Sequence, residues 1–213
     1  MQKIVKNEPD FFKKAKEKIS NPAEYRSWEN KNITNIKPKL KEYIVHEQKN
    51  LCAYCERKLE NIEELSIDHF KKRKLFPELT LDFYNLFVSC NNPYHCENFK
   101  DNKKLSKNDY EKIIHPSLED PEEYLEYNLT GEIVPRENLD PLKREKALFT
   151  IEVFNLNDRG LIEDRKKIIS IIILNFLNYF NSWEEVKDNG FDFYFSLLRW
   201  IFFHKNELIG LKL

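Results

Sequence analysis

The chain has 213 residues, with 35 Lys and Arg against 36 Asp and Glu, and its formal charge of −1 excludes recognition of a polyanion by bulk basicity. Apolar residues make up 41% and aromatics 14%, enough to bury a core, which excludes a disordered chain despite 33% charged residues. The length fits one substantial domain or two small ones, two small units being the preferred reading.

The amino-terminal stretch MQKIVKNEPDFFKKAKEKIS is too charged for a signal peptide and lacks the apolar run such a peptide needs, so a cytoplasmic protein is expected. Helix formers over Pro9 to Ile19 and Pro38 to Gln48 place Phe11, Phe12, Leu40, Tyr43 and Ile44 at core-like positions. Between Asn50 and Asp109 the periodicity weakens, and short apolar pieces (Leu65 to Ile67, Phe83 to Ser89) alternate with turn residues. Strand-like Tyr124 to Tyr127 and Glu132 to Val134 flank Asn128-Leu129-Thr130-Gly131, the pattern of a hairpin. After Pro141 the pattern is helical: Lys143 to Val153, Leu161 to Phe180, Trp183 to Lys187 and Phe191 to Glu207. The apolar runs Ile168 to Phe180 and Phe191 to Phe203 fall short of the roughly 20 residues that span a bilayer, and Asn175, Asn178 and Arg199 interrupt them, so they read as buried helices. The first of these is apolar on nearly every face and belongs to the core or to an interface with another chain, the core being preferred.

All four cysteines lie between positions 52 and 96, and in a reducing cytosol metal binding explains them better than disulfides. Cys52-Ala53-Tyr54-Cys55 is a tight C-x2-C turn; Cys90 and Cys96 close a second, wider knuckle. Four thiolates from two knuckles match a closed tetrahedral structural zinc site. His95 is able to replace one sulfur, but four cysteines complete the shell. A metal there pins the two knuckles and closes a loop of about thirty residues between them.

Inside that loop stands Ser66-Ile67-Asp68-His69-Phe70, then Phe83-Tyr84-Asn85-Leu86, and beyond the last cysteine Glu97-Asn98-Phe99-Lys100. The order Asp-His, Asn, then a polar ligand on a following helix, framed by cysteine pairs, resembles the HNH endonuclease pattern. CAYCERKLE, IDHF, YNLFVSC and C-x3-K resemble in particular the HNH subunit of Septu and retron-associated anti-phage systems (PtuB-like). The likeness continues through HPSLEDPEEYLEY, GEIVP and TIEVFNLNDRGLIEDR, roughly positions 45 to 170. It departs where the family has a Pro soon after the His, since here Lys71-Lys72-Arg73-Lys74 follow Phe70.

Phosphodiester cleavage needs a deprotonated water and a cation to take up charge on the phosphate and leaving oxygen. His69 suits the base, its ordinary pKa lying near neutrality, and Asp68 suits a ligand to Mg²⁺ or Mn²⁺. The resemblance implies that Asn85 braces the His69 loop or ring, and that Asn98 is the second protein ligand to the catalytic ion, with Glu97 as the alternative. It also implies a phosphate contact for Lys100. Lys71, Lys72, Arg73 and Lys74, with Lys100, Lys103, Lys104 and Lys107, form two basic clusters converging on the site, a local patch for a polyanion in an otherwise neutral chain. His46, His115 and His204 have no companion ligands and read as structural.

The expected fold is α+β: N-terminal helices over 1–48, a zinc-framed ββα-metal (HNH) unit over 49–112, and a hairpin plus helical C-terminal domain over 113–213 that offers a partner interface. The expected function is metal-dependent DNA cleavage, with an ATPase subunit as the partner that the resemblance implies. A non-catalytic zinc module binding nucleic acid or protein, and the same nuclease centre acting on RNA, are the alternatives.

Overall fold

The computed structural model describes residues 1–175, 182–188 and 193–210. In chain order come helices α1 (Asp10–Lys16), α2 (Lys31–Thr34) and α3 (Lys37–Glu47), then strands β1 (Ile67–His69) and β2 (Leu86–Val88) and helix α4 (Cys96–Asn102). A second strand pair, β3 (Leu125–Tyr127) and β4 (Ile133–Pro135), precedes α5 (Pro141–Val153), α6 (Arg159–Asn175), α7 (Trp183–Asp188), α8 (Phe195–Phe203) and α9 (Lys205–Gly210). The class is α+β, about half helical with few short strands. Among the described residues no helix is long and apolar enough to cross a membrane.

β1 and β2 pair antiparallel with Asp68 opposite Phe87 and His69 opposite Leu86, and α4 follows β2 directly in the order of elements. Leu86, Phe87 and Val88 are fully buried, and α3 packs on β2 through the side that carries Leu40 and Ile44, also fully buried. A three-residue strand makes too few ladder bonds to hold itself, so its position depends on this burial. Gln48 at the end of α3 adds a polar tie: its Nε2 donates to the Val88 carbonyl and its Oε1 accepts from the Val88 N–H, both at 2.8 Å. Behind the pair, Tyr54 stacks on Phe154 (centroids 4.0 Å apart), and Phe70 packs against Phe87 and His115.

The hairpin turn predicted at 128–131 forms. Asn128 Oδ1 accepts the Thr130 and Glu132 N–H groups (3.1 and 3.0 Å), and Gly131 takes φ +87°. α5 begins where Asp140 caps the Lys143 N–H at 3.0 Å and Pro141 supplies the first turn. The helix expected over Leu161 to Phe180 runs as α6 to Asn175, and its remaining positions lie outside the described residues. Its apolar run is buried in part: Ile169 and Ile172 are covered, whereas Ile171 is 51% exposed. Of the stretch from Phe191 to Glu207, the part described is two helices that break at His204, whose Nδ1 lies 2.8 Å from the Trp200 carbonyl.

Gly131 is a sensitive point, because a Cβ there would meet the Ile162 carbonyl and the Lys166 N–H of α6, at a φ that side chains rarely adopt. Gly131→Ala is expected to destabilise the chain by about 1–3 kcal/mol. Urea unfolding checks this, and an unchanged midpoint would contradict the packing of the hairpin on α6.

Candidate metal and catalytic centre

Two tight turns bring the cysteines together. At the first knuckle Cys52 N–H donates to the Arg57 carbonyl at 2.8 Å, Glu56 N–H donates back to the Cys52 carbonyl, and Glu56 takes φ +62°. At the second, Cys96 itself sits at φ +62°, an uncommon conformation for a residue with a side chain, held by its N–H donating to the Phe154 carbonyl at 2.8 Å. The four Sγ atoms lie within 4.8 Å of one another, with Cys52–Cys96 at 3.8 Å and Cys55–Cys90 at 3.7 Å, and none is in a disulfide. A tetrahedron with metal–sulfur bonds of about 2.3 Å has edges of about 3.8 Å, so the donor set fits a tetrahedral metal ion. Backbone N–H of Cys90 points at the Cys52 sulfur (3.3 Å). The His95 ring is fully buried beside the cluster, with Nδ1 3.1 Å from the Cys96 sulfur and Nε2 3.5 Å from Arg57 Nη1. It lies against the sulfurs and adds to a set that four thiols already complete.

The enclosed segment carries β1, and Asp68 and His69 both line one cleft of about 360 Å³. His69 is 8% exposed, and its Nε2 lies 2.9 Å from the Thr80 carbonyl. A carbonyl only accepts, so Nε2 carries the proton and Nδ1 keeps a free lone pair. Burial pushes the pKa of His69 down to about 3, with nearby Arg73 and Lys100 adding to the effect against the raising influence of the Thr80 bond. The ring is therefore neutral across ordinary pH. Trp28 meets it edge-on at 4.7 Å.

Asn85 is 3% exposed and ties down the loop after His69. Its Oδ1 accepts the Lys71 N–H (2.7 Å), its Nδ2 donates to the Lys71 and Leu79 carbonyls (3.0 and 3.1 Å), and its own carbonyl accepts the Phe70 N–H. The loop that presents Thr80 to His69 is thereby fixed at both ends.

Asp68 is 2% exposed, and both of its oxygens have partners within the protein. Tyr54 donates its hydroxyl to Oδ2, and Lys100 Nζ reaches both oxygens at 2.8 and 2.9 Å. Lys100 is completely buried, also donating to the His69 carbonyl at 3.1 Å. It thus turns inward to the carboxylate, whereas a phosphate contact at the surface was the sequence expectation. Oxygens of Asp68, Glu97 and Asp101 lie within 4.8 Å of one another, a group able to hold a cation. Burial, then the Asp68 charge, pushes the Glu97 pKa up to about 8.

Asn98, expected as the second ligand, is elsewhere: its Nδ2 donates to Asn91 Oδ1 at 3.1 Å, and it is not among the residues lining the cleft. Helix periodicity is the reason, since on α4 positions 97, 100 and 101 share a face and 98 is turned about 100° away. Asp101 was missed by sequence reasoning; its signal is its place four residues after Glu97. Tyr54, Tyr25 and Trp28 were missed as well.

The basic clusters divide. Lys72, Arg73 and Lys74 line the cleft, with Lys74 exposed. Lys71 pairs with Glu111 (2.8 Å) and Lys103 with Glu152 (2.7 Å), while Lys104 is exposed on the α4 side.

No family model matches the chain. It is similar to proteins of Septu and retron systems. These relatives include the Septu protein PtuB of Bacillus thuringiensis, 28% identical over 125 residues, covering 57% of this chain and 42% of that protein. They also include two retron proteins named as candidate HNH endonucleases. That of retron Ec83 of Escherichia coli is 29% identical (62% of this chain, 64% of the relative), and that of retron Vc95 of Vibrio cholerae serotype O1 biovar El Tor is 28% identical (59% and 61%). The chain spans from 42% to 64% of the length of these relatives. At family level they support a nuclease role.

Removing one partner of a buried ion pair leaves the other charge uncompensated. Lys100→Met is therefore expected to cost about 3–5 kcal/mol in urea unfolding, whereas Lys74→Met, at an exposed rim position, stays within about 0.5 kcal/mol. Equal effects of the two would contradict the burial of Lys100.

Proposed function

We propose that this chain is a divalent-ion-dependent HNH endonuclease that hydrolyses DNA phosphodiester bonds, with zinc at the four cysteines serving structure alone. The observation that carries the proposal is a neutral imidazole with a bare Nδ1 set beside a three-carboxylate centre, in one cleft edged by Lys72, Arg73 and Lys74. In this account His69 Nδ1 takes the proton from an attacking water, and the Thr80 carbonyl holds the ring in the tautomer that leaves Nδ1 free. Asn85 keeps the Thr80 loop in place.

The ligands proposed for the divalent ion are Asp68, Glu97 and Asp101, hard oxygen donors that suit Mg²⁺ or Mn²⁺. Bound there, the ion supplies Lewis-acid stabilisation of charge on the leaving oxygen. Lys100, bonded to both of its oxygens, holds Asp68 in orientation. Lys72, Arg73 and Lys74 draw the phosphate chain to the cleft mouth. By similarity to the Septu and retron proteins, the chain is proposed to be the cutting subunit of an anti-phage complex with an ATPase partner. The hairpin and helical C-terminal part over 113–213 is proposed as the partner interface.

The direct test is plasmid cleavage with Mg²⁺ or Mn²⁺. His69→Ala is expected to lower the rate at least about 100-fold with an unchanged circular dichroism spectrum, and equal cutting would overturn the mechanism. A second prediction follows from Glu97. Its carboxyl is protonated below pH 8 in the ion-free chain and must lose that proton to bind a cation. Mn²⁺ affinity, read by electron paramagnetic resonance, is therefore expected to rise with pH up to about 8 and then level off. Glu97→Gln is expected to flatten that dependence; a profile unchanged by the substitution would remove Glu97 from the ligand set.

A further inference from the structure

The nuclease cleft has a wall from outside the cysteine-framed unit. Residues Tyr25–Glu29, a single 3₁₀ turn ahead of α2, are held against the site by three contacts: Trp28 edge-on to His69, Arg73 Nη1 to Glu29 Oε1 at 2.9 Å, and Lys37 to Glu29 at 3.6 Å. Trp28 is spent on this docking: it is 6% exposed, with Lys37 over its ring at 4.6 Å. Tyr25 is not. It lines the same cleft as Asp68 and His69, is 38% exposed, and has the Arg73 guanidinium over its ring at 4.6 Å. Arg73 is itself fixed by Glu29 and by the Tyr25 carbonyl at 3.4 Å, so ring and guanidinium form a rigid pair.

An exposed aromatic ring backed by a fixed cation, beside basic side chains and a catalytic histidine, is what a nucleobase stacks on. In an intact duplex the bases are stacked on one another and offer no free face at the scissile phosphate. Basic residues alone would serve a duplex equally well, and the aromatic adds nothing there. Resting on the nuclease reading above, we propose that Tyr25 is a specificity-determining residue that stacks on an unstacked base next to the cut phosphate. The substrate class is then a single-stranded or locally opened nucleic acid. Arg73 holds the Tyr25 ring in place, and Lys74, exposed at the same cleft, meets a flanking phosphate. The recognised chemistry, an exposed base plane on a phosphate chain, is common to DNA and RNA.

The test uses the full chain without added divalent ion and three probes of one sequence: a single-stranded DNA of about a dozen nucleotides, its RNA counterpart, and the DNA duplex. Fluorescence anisotropy is expected to show tighter binding of one or both single strands than of the duplex. Tyr25→Ala is expected to weaken single-strand binding at least about fivefold, as loss of one base–aromatic stack does, while Tyr25→Phe keeps it and duplex binding is unmoved. Photocrosslinking with 5-iodouracil at each position in turn is expected to map to Tyr25 in the wild-type chain. Duplex binding as tight as single-strand binding, or unchanged affinity in Tyr25→Ala with no crosslink to position 25, overturns the inference and leaves the nuclease proposal standing. Failure of all three probes to bind overturns the inference as well, while the nuclease proposal is decided by the plasmid cleavage assay. The DNA and RNA arms decide which nucleic acid carries the base.

Discussion

Everything at the cleft depends on the convergence of two chain turns at four sulfurs. β1 and β2 are three residues each, and strands of that length do not fix a catalytic geometry by their own hydrogen bonds. Besides the burial of β2 under α3, they are held because Cys52 and Cys55 precede β1, Cys90 and Cys96 follow β2, and all four thiols meet within 4.8 Å. Cys96 is at once a member of this cluster and the first residue of α4, so the same junction sets the rotation of the helix that carries Glu97, Lys100 and Asp101. The left-handed backbone at Cys96 is where the chain turns from knuckle to helix. The placement of the sulfurs and the placement of the carboxylates are in this way one structural event.

Within that frame the electrostatics are arranged by burial. A carboxylate as enclosed as Asp68 is stable only with partners, and Tyr54 and Lys100 provide them from the first knuckle and from α4. His69, also enclosed, has no anionic partner among the described residues and is held neutral with one nitrogen committed to Thr80. Two adjacent residues on one strand therefore meet the cost of burial differently, Asp68 through a hydroxyl and an ammonium partner and His69 as a neutral ring.

Much of the site was legible in the sequence because its determinants are local. The C-x2-C turn, the second cysteine pair and the Asp68-His69 dipeptide each carry their signal in adjacent residues, and the hairpin at Asn128–Gly131 is written in its turn chemistry. Other features depend on distant contacts. Lys100 reads as one more lysine in a basic stretch, and only its bonds to Asp68 and to the His69 carbonyl turn it inward. The choice between Asn98 and the Glu97–Asp101 face depends on where α4 begins and how Cys96 rotates it, which no spacing rule encodes. Tyr25 and Trp28 lie more than twenty residues before the first cysteine in a stretch without periodicity, and the contact of Trp28 with His69 brings them to the cleft. The apolar run in α6 was legible as helix but not in its burial, since Ile171 faces outward while Ile169 and Ile172 are covered.

The claim at the centre of this account is that one zinc ion joins the two knuckles through four sulfurs. X-ray absorption at the zinc edge, on protein purified without added metal, tests it most directly. One zinc per chain with four sulfur neighbours at about 2.3 Å is the predicted result. Protein without zinc, or a shell in which the His95 nitrogen replaces a sulfur, would contradict it.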